Sequence, residues 1–298
     1  MNQKGNITLY VLIAVLVLVL IGAGYYLYTT NKQTTSVNPP SAQNPTSSPT
    51  NTQTTFPNPS NNAVSVASSS HPVIAVMANG ASSFPLRSGD FVIGSAGQQV
   101  GGTTSQQGFQ PAISSLEKVT TPGVNKILGF SSINDLNADI SSIPADINYI
   151  DYSTEQGTTP QAELNSLTSS VTQFASIVHS HGKKVVWAPQ HKYFDSMQSA
   201  GTLASILTSV DMIQYQGQRL LTTESNFISD MQGKYSSAKT ANPKIIFYLQ
   251  LWVGTNGSTS EQIITGFNNL VGFYDIAGFG GGSSTDIQTV IEGLNFRK

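Results

Sequence analysis

Hydrophobic and polar positions divide the chain into three stretches with different patterns. Residues 7–28 are an almost unbroken apolar run, and residues 31–70 are almost entirely Thr, Ser, Pro, Asn and Gln. From residue 71 onward, short apolar runs alternate with segments of helical periodicity. The pattern predicts a transmembrane signal anchor over 1–30, a disordered linker over 31–70 and one folded domain over 71–298.

The apolar run has the length of a membrane-spanning helix, for which about 20 residues suffice. Lys4 precedes it and Lys32 follows it, a weak positive bias that places the N-terminus inside and the rest of the chain outside the cytoplasm. Two alternatives stay open. A signal peptide cut near Gly22–Gly24 would give a secreted protein, although the run exceeds the usual h-region of about 7–15 residues. A pilin-like leader cut after Gly5 is disfavoured because the apolar run has no early glutamate.

The linker has too few apolar side chains to offset the entropy of ordering, so we expect it to stay disordered. A spacer between membrane and domain is the favoured interpretation, and a glycosylated stalk is the alternative.

The folded stretch carries eight strand patterns separated by amphipathic segments. One such segment begins at Pro160 and ends before Gly182, with Leu164, Val171 and Val178 on one face. Ser258 and Glu261 predict a capping box for another helix. The strands are expected at Val73–Ala78, Phe91–Gly94, Lys126–Phe130, Ile147–Tyr152, Lys184–Ala188, Asp211–Tyr215, Lys244–Leu251 and Tyr274–Phe279.

Apolar strands that alternate with amphipathic helices indicate a parallel sheet covered by helices. Seven or eight strands favour an α/β fold of the (β/α)8 type, a TIM barrel, possibly irregular in its first repeat between residues 80 and 122. The alternative is an open doubly wound sheet, but no glycine-rich phosphate fingerprint follows the first strand. Gly280–Gly282 after the last strand is a weak phosphate signal, and a tight loop explains it better.

The composition excludes several classes of partner and catalytic site. Only 10% of the residues are charged and the net charge is -2, so nothing points to nucleic acid, whose binders carry basic faces. The chain has no cysteine, which excludes disulfides, thiolate metal sites and cysteine nucleophiles. No metal-ligand spacing is present, and we predict neither metal nor cofactor.

In TIM barrels the C-terminal strand ends carry the active site. Asp151 and Glu155 lie on the turn after the fourth strand and are the predicted catalytic residues. Other strand ends supply amides and aromatic rings, which suit a neutral polyhydroxylated ligand such as a carbohydrate; the alternative is that the glutamines only satisfy hydrogen bonds inside the barrel. The predicted substrate-binding residues are Tyr152, Trp187, Gln190, His191, Gln214, Tyr215, Gln216, Gln250 and Trp252, with Asn79, Ser131 and Tyr193 nearby.

Two short motifs resemble glycoside-hydrolase barrels, loosely of the chitinase type: Asp-Tyr-Ser-Thr-Glu at 151–155 and Val-Asp-Met-Ile-Gln-Tyr-Gln at 210–216. The resemblance implies that Glu155 is the general acid and Asp151 its orienting partner, with an acetamido group of the substrate as nucleophile. Two positions depart from the family pattern. Ser153 stands where an aspartate is expected, and Gln216 replaces the acid after Tyr215.

These observations predict a membrane-anchored extracytoplasmic glycoside hydrolase-like protein that acts on a polysaccharide or cell-wall glycan. The alternative is a non-catalytic glycan-binding or surface-structural protein on a degenerate hydrolase barrel. A third hypothesis makes the barrel only a scaffold of the envelope. The hydrolase predicts two carboxyl groups facing one cleft. Loss of catalysis predicts Glu155 turned away or paired, for example with Arg219, and the scaffold predicts an occluded barrel mouth.

Overall fold

The computed structural model describes residues 72–96 and 108–298, apart from residues 219, 223 and 224. The predicted anchor, the predicted linker and Arg219 therefore lie outside the described residues. Among the residues that are described, no helix is long and apolar enough to cross a membrane.

Eight parallel strands close into a barrel in sequence order, with the last strand pairing with the first. Each of the eight predicted strands is present, which confirms the (β/α)8 barrel over the open sheet. The strands are β1 (Val73–Met77), β2 (Phe91–Ser95), β3 (Asn125–Phe130), β4 (Tyr149–Thr154), β5 (Lys184–Pro189), β6 (Met212–Gln216), β7 (Ile246–Val253) and β8 (Ile276–Gly281).

Alternation along the strands divides the buried side chains into two layers. The inner layer fills the barrel below its mouth and includes Ala75, Tyr149, Met212 and Tyr248. The larger outer layer lies between the barrel and its helices. Because both faces of each strand are buried, the strands read as near-continuous apolar runs.

Nine α-helices are described outside the barrel. They are α1 (Phe109–Glu117), α2 (Ile133–Asp139), α3 (Gln161–Asn165), α4 (Leu167–Ser180), α5 (His191–Ser199), α6 (Leu203–Leu207), α7 (Phe227–Ala241), α8 (Ser260–Asn269) and α9 (Ser284–Gly293). The β1–β2 connection has only a 3₁₀ turn, Ala81–Ser83, so the predicted irregularity of the first repeat is confirmed.

Two helix predictions need correction. The helix predicted between Pro160 and Gly182 is broken at Ser166 into α3 and α4. The capping box of α8 is formed by Thr259 and Gln262, one residue later than predicted, because the Ser258 hydroxyl instead donates to the Trp252 carbonyl oxygen.

The glycines after β8 form a tight turn, as expected. Gly281 and Gly282 have φ angles of 71° and 66°, which favour glycine. A Cβ atom at Gly281 would also overlap the carbonyl oxygen of Val253.

Candidate functional site

A cavity of about 350 Å³ lies at the C-terminal end of the strands. It contains the end of β4, the end of β6 and the end of β7, so the predicted convergence of strand ends is observed there. The lining residues are Met77, Ile93, Gly94, Ser95, Gly129, Asp151, Ser153, Glu155, Gln214, Gln216, Gln218, Gln250, Trp252 and Thr255.

Asp151 forms part of the cavity wall on β4 and is only 3% exposed. Its Oδ2 accepts a hydrogen bond of 2.9 Å from the Ser153 hydroxyl. Gly129 on the neighbouring strand leaves room for the carboxyl group, since a Cβ atom there would lie 3.2 Å from Oδ2. Burial raises the pKa of Asp151 to about 8, and the charge of Glu155 adds to the rise. The carboxyl group is therefore protonated at neutral pH.

Glu155 stands four residues further along, at the start of the loop that leads to α3. Its backbone N–H donates to Thr159 Oγ1 at 3.0 Å, and the same hydroxyl donates to the Ser153 carbonyl oxygen at 2.9 Å. The side chain of Glu155 accepts a hydrogen bond of 2.6 Å from Gln216 Nε2. One hydroxyl thus fixes the backbone of Glu155, and one amide fixes its carboxyl group beside the cavity.

Several polar atoms of the lining are buried and have no hydrogen-bond partner among the described residues. They are Asp151 Oδ1, Gln214 Oε1, Gln218 Oε1 and Trp252 Nε1. Burying such groups costs about 1–3 kcal/mol each when they stay unpaired. Four of them around one cavity indicate a surface built to form hydrogen bonds with a ligand.

Several residues at the cavity are not among those predicted from the sequence. Ser153 and Gln218 line the cavity, and Tyr248 lies in the interior layer below it. A Cβ atom at Gly278 would overlap the Tyr248 ring, so this glycine makes space for the tyrosine. Burial, and secondarily the charge of Asp151, raises the pKa of Tyr248. Strand alternation was the signal that could have found these residues, because Ser153 is two positions from Asp151 and Tyr248 two from Gln250.

Three predicted aromatic residues, Tyr152, Trp187 and Tyr215, do not line the cavity, and their expected place in the mouth is corrected. All three are fully buried between the barrel and its helices. Tyr152 stacks on Phe174 with ring centroids 4.4 Å apart. Each is adjacent in sequence to an inward-facing residue, and successive strand side chains point to opposite faces.

Gln190 and His191 are also absent from the cavity lining. Gln190 is the N-cap residue of α5, and His191 is its first residue rather than part of a loop. Asn79, Ser131 and Tyr193 lie outside the lining as well. The predicted residues that the structure does bring together are Asp151, Glu155, Gln214, Gln216, Gln250 and Trp252.

The described residues offer no cluster of three or more His, Asp or Glu side chains that could hold a metal ion. The lining residues of the cavity that are described include no Lys, Arg or His. These residues offer the chemistry of two carboxyl groups, amides, hydroxyls and an indole.

Comparison with solved structures finds distant matches to a chitinase and other glycoside hydrolases over the barrel. The chitinase of Chromobacterium violaceum ATCC 12472 is 12% identical, with a TM-score of 0.47, and the match covers 75% of this chain and 99% of that one. A glycoside hydrolase family 17 beta-1,3-glucanosyltransferase from Rhizomucor miehei is 14% identical, with a TM-score of 0.40 and coverages of 63% and 74%. RipC from Yersinia pestis is 11% identical, with a TM-score of 0.43 and coverages of 74% and 94%.

No protein-family model matches the sequence, and no curated protein sequence matches it. The resemblance predicted from the two motifs is confirmed as a distant structural likeness to glycoside-hydrolase barrels at low sequence identity. Likeness at this level concerns the barrel and does not extend to the reaction.

Proposed function

We propose that the protein is a glycoside hydrolase that acts on a polysaccharide or cell-wall glycan. One observation carries the proposal: Asp151 and Glu155 contribute to the same cavity, whose lining also presents unpaired polar atoms. Glycoside hydrolysis needs a proton donor for the leaving oxygen and a second group that stabilises positive charge at the sugar carbon. Two carboxyl groups in different environments can divide these tasks if the protonated Asp151 becomes a carboxylate as positive charge develops beside it.

Glu155 is the group that we assign to proton transfer. It is partly exposed at the start of the β4–α3 loop, where a glycosidic oxygen can approach it, and Gln216 holds its carboxyl group in place. Asp151 is almost completely buried and acts as the orienting partner. Because its carboxyl group keeps a proton up to a pH of about 8, it can donate a hydrogen bond at neutral pH.

The arrangement favours a hydrolase over the two alternatives. A barrel that had lost catalysis would have Glu155 turned away from the cavity or neutralised by a cation. Glu155 lines the cavity, however, and its side chain accepts a hydrogen bond from an uncharged amide of the described residues. A barrel that served only as a scaffold would have a filled mouth, whereas the mouth encloses about 350 Å³. The predicted test with Arg219 falls outside the described residues.

The proposed setting is the outside of the cytoplasm, with the barrel anchored to the membrane by residues 1–30 or secreted after their removal. This part of the proposal rests on the apolar run of residues 7–28 and on the linker composition.

The experiment compares the full-length protein with its Glu155→Gln variant on chitin-type, cell-wall and plant-type oligosaccharides. We expect hydrolysis of at least one class to fall by about 100-fold or more in the variant, as when a general acid is removed. Glu117→Gln is the matched control, because Glu117 is exposed at the end of α1 and undergoes the same chemical change away from the cavity.

Binding without turnover in the unmodified protein would replace the hydrolase by the glycan-binding alternative. Turnover that survives in Glu155→Gln would refute the role of Glu155, and neither binding nor turnover would refute the carbohydrate assignment.

A further inference from the structure

The cavity has an unbalanced set of charges. Its described lining contains two acids, Asp151 and Glu155, and no basic side chain. The titratable groups that act on Asp151 in the described structure are Glu155, on the loop that follows the same strand, and Tyr248 on β7, whose pKa in turn is raised by Asp151. Among the described residues that line the cavity, none supplies a positive charge next to Asp151.

The unpaired polar atoms at the cavity are mostly hydrogen-bond acceptors. Among the described residues, Gln214 Oε1 and Gln218 Oε1 each lack a donor, Asp151 Oδ1 becomes a third such acceptor when its carboxyl group is ionised, and Trp252 Nε1 is an unpaired donor. Asp151 is 3% exposed and Gln214 is 5% exposed, so these oxygens are shielded from bulk water. With Asp151 ionised, a ligand that complements this set brings more donors than acceptors.

We propose that the cavity selects a sugar residue with a free amino group, placed with its ammonium next to Asp151. That the ligand is a sugar rests on the proposed function. The new element is the positive charge of its amino group. The proposed ligands are amino sugars whose nitrogen is not acylated. We expect the cavity to bind them more tightly than the corresponding neutral, N-acylated or acidic sugars.

Two properties favour an ammonium over other substituents. It offers three donors and no acceptor, which matches the two unpaired amide oxygens and the ionised carboxyl group of Asp151. A glutamine amide can turn either end towards a ligand, so Gln214 and Gln218 accommodate both neutral and charged groups. The two carboxyl groups cannot do this, and they therefore discriminate by charge. A carboxylate or sulfate on the sugar would add a negative charge to an acidic site, whereas an ammonium stabilises the ionised form of Asp151 beside Glu155.

Binding of the ammonium has a measurable consequence for protons. Below pH 8 the Asp151 carboxyl group holds a proton. A cation beside it favours the carboxylate, so the Asp151 O–H bond breaks, its proton leaves for the solvent, and the carboxylate pairs with the bound ammonium. A neutral sugar leaves the proton on Asp151.

The two tryptophans of the chain make binding directly observable. The indole N–H of Trp252 is at the cavity, and that of Trp187 is buried elsewhere, where it donates to Thr154 Oγ1 at 3.1 Å. In an NMR titration of the full-length protein at pH 6, the Trp252 indole signal reports on the cavity and the Trp187 signal is the internal control. The probes are glucosamine, N-acetylglucosamine, glucose and glucuronate, which have no glycosidic bond to cleave.

We expect glucosamine to shift the Trp252 signal with a dissociation constant about tenfold or more below those of the other sugars, the gain from a hydrogen bond to a buried charge. Calorimetry in buffers of different ionisation enthalpy should show proton release, up to one proton per glucosamine bound and none for glucose. Asp151→Asn should bring the ratio between glucosamine and glucose close to one and abolish the release. Its unliganded Trp187 signal should stay in place and so report an intact fold.

Equal affinities for glucosamine, N-acetylglucosamine and glucose would overturn this inference and leave the proposed function standing. A preference for glucosamine that is not accompanied by proton release would also overturn the inference. So would a preference for glucosamine that persists in the Asp151→Asn variant. If none of the four sugars moves the Trp252 signal, both this inference and the carbohydrate assignment fail.

Discussion

The two ends of the barrel treat their carboxyl groups in opposite ways. At the N-terminal end, three aspartates immediately precede β2, β6 and β8, and each accepts a hydrogen bond from a backbone N–H of the neighbouring strand and contacts a basic side chain. The sets are Asp90 with Ile74 and Arg297, Asp211 with Val185 and His179, and Asp275 with Phe247 and Lys239. At the C-terminal end, Asp151 is nearly as buried as Asp90, but its one donor among the described residues is a serine hydroxyl.

The difference shows which acids the fold needs. A buried carboxylate that is paired with a cation and with backbone N–H groups holds strands in position, and removing one partner leaves an uncompensated charge. A buried carboxyl group without such partners costs stability and is kept for another reason. The carboxylates at the N-terminal end of the barrel therefore stabilise the fold. The carboxyl groups at the C-terminal end remain available for contacts with a ligand.

The largest expected effect on stability comes from breaking an ion pair at the N-terminal end of the barrel. Arg297→Met leaves the buried Asp90 without its cation, since both oxygens of Asp90 accept from Arg297 Nη1 at 2.9 Å. We expect the free energy of unfolding to fall by about 3–5 kcal/mol, measured by urea denaturation.

Arg87→Met is the matched control for this change. The Arg87 guanidinium donates to the Arg297 carbonyl oxygen but belongs to an exposed residue, so its loss should cost about 1 kcal/mol or less. Equal losses in both variants would contradict the role given to the Asp90–Arg297 pair.

The second prediction concerns Asp151 and the dependence of stability on pH. Its pKa is raised in the fold from 3.8 to about 8, so between these values the folded state holds a proton that the unfolded state has lost. Stability from this group is fully present below pH 4 and falls as pH rises towards 8. Asp151→Asn removes the decline and should be more stable than the unmodified protein at pH 8, by about 1–3 kcal/mol.

Asp211→Asn, at the N-terminal end of the barrel, is the matched variant with the opposite expected effect on stability. The pKa of Asp211 is lowered, although burial opposes the shift, because it accepts hydrogen bonds from His179 and the Val185 N–H. Its contribution is present above the ordinary carboxyl pKa and is lost as pH falls through the lowered value. The variant should therefore be less stable than the unmodified protein at neutral pH, and the difference should vanish in acid. Urea midpoints between pH 3 and pH 8 that move in the same direction for both variants would contradict the comparison.

The smallest expected effect on stability concerns the loop that holds Glu155. Thr159→Val keeps the shape of the buried side chain but removes the hydroxyl that joins the Glu155 N–H to the Ser153 carbonyl oxygen. We expect a loss of about 1–2 kcal/mol in stability and faster hydrogen exchange of the Glu155 amide. Thr159→Ser keeps the hydroxyl and should restore both, and a Ser variant as impaired as the Val variant would assign the effect to packing.

Much of the fold could be predicted because it depends on local patterns. The apolar runs of the strands and the helical periodicity between them are short-range features, and all eight strands appear where they were expected. The site was predicted less completely. Asp151, Glu155 and four of the polar or aromatic strand-end residues reach the cavity, but Tyr152, Trp187 and Tyr215 point to the other face. Asp151 lies inside the barrel on β4, so its neighbour Tyr152 faces outward. The prediction had placed Asp151 on the turn after the strand, where this alternation does not apply.

The sequence by itself determined the alternation of strands and helices and the position of two acids near the C-terminal end of the fourth strand. Only the tertiary structure decided which acid is desolvated and which polar atoms stay unpaired, because both depend on contacts between distant residues. Gln216 reaches Glu155 across 61 positions and Arg297 reaches Asp90 across 207. The periodicity that specifies a strand extends over a few residues, whereas burial and charge pairing are set by the side chains that barrel closure brings together.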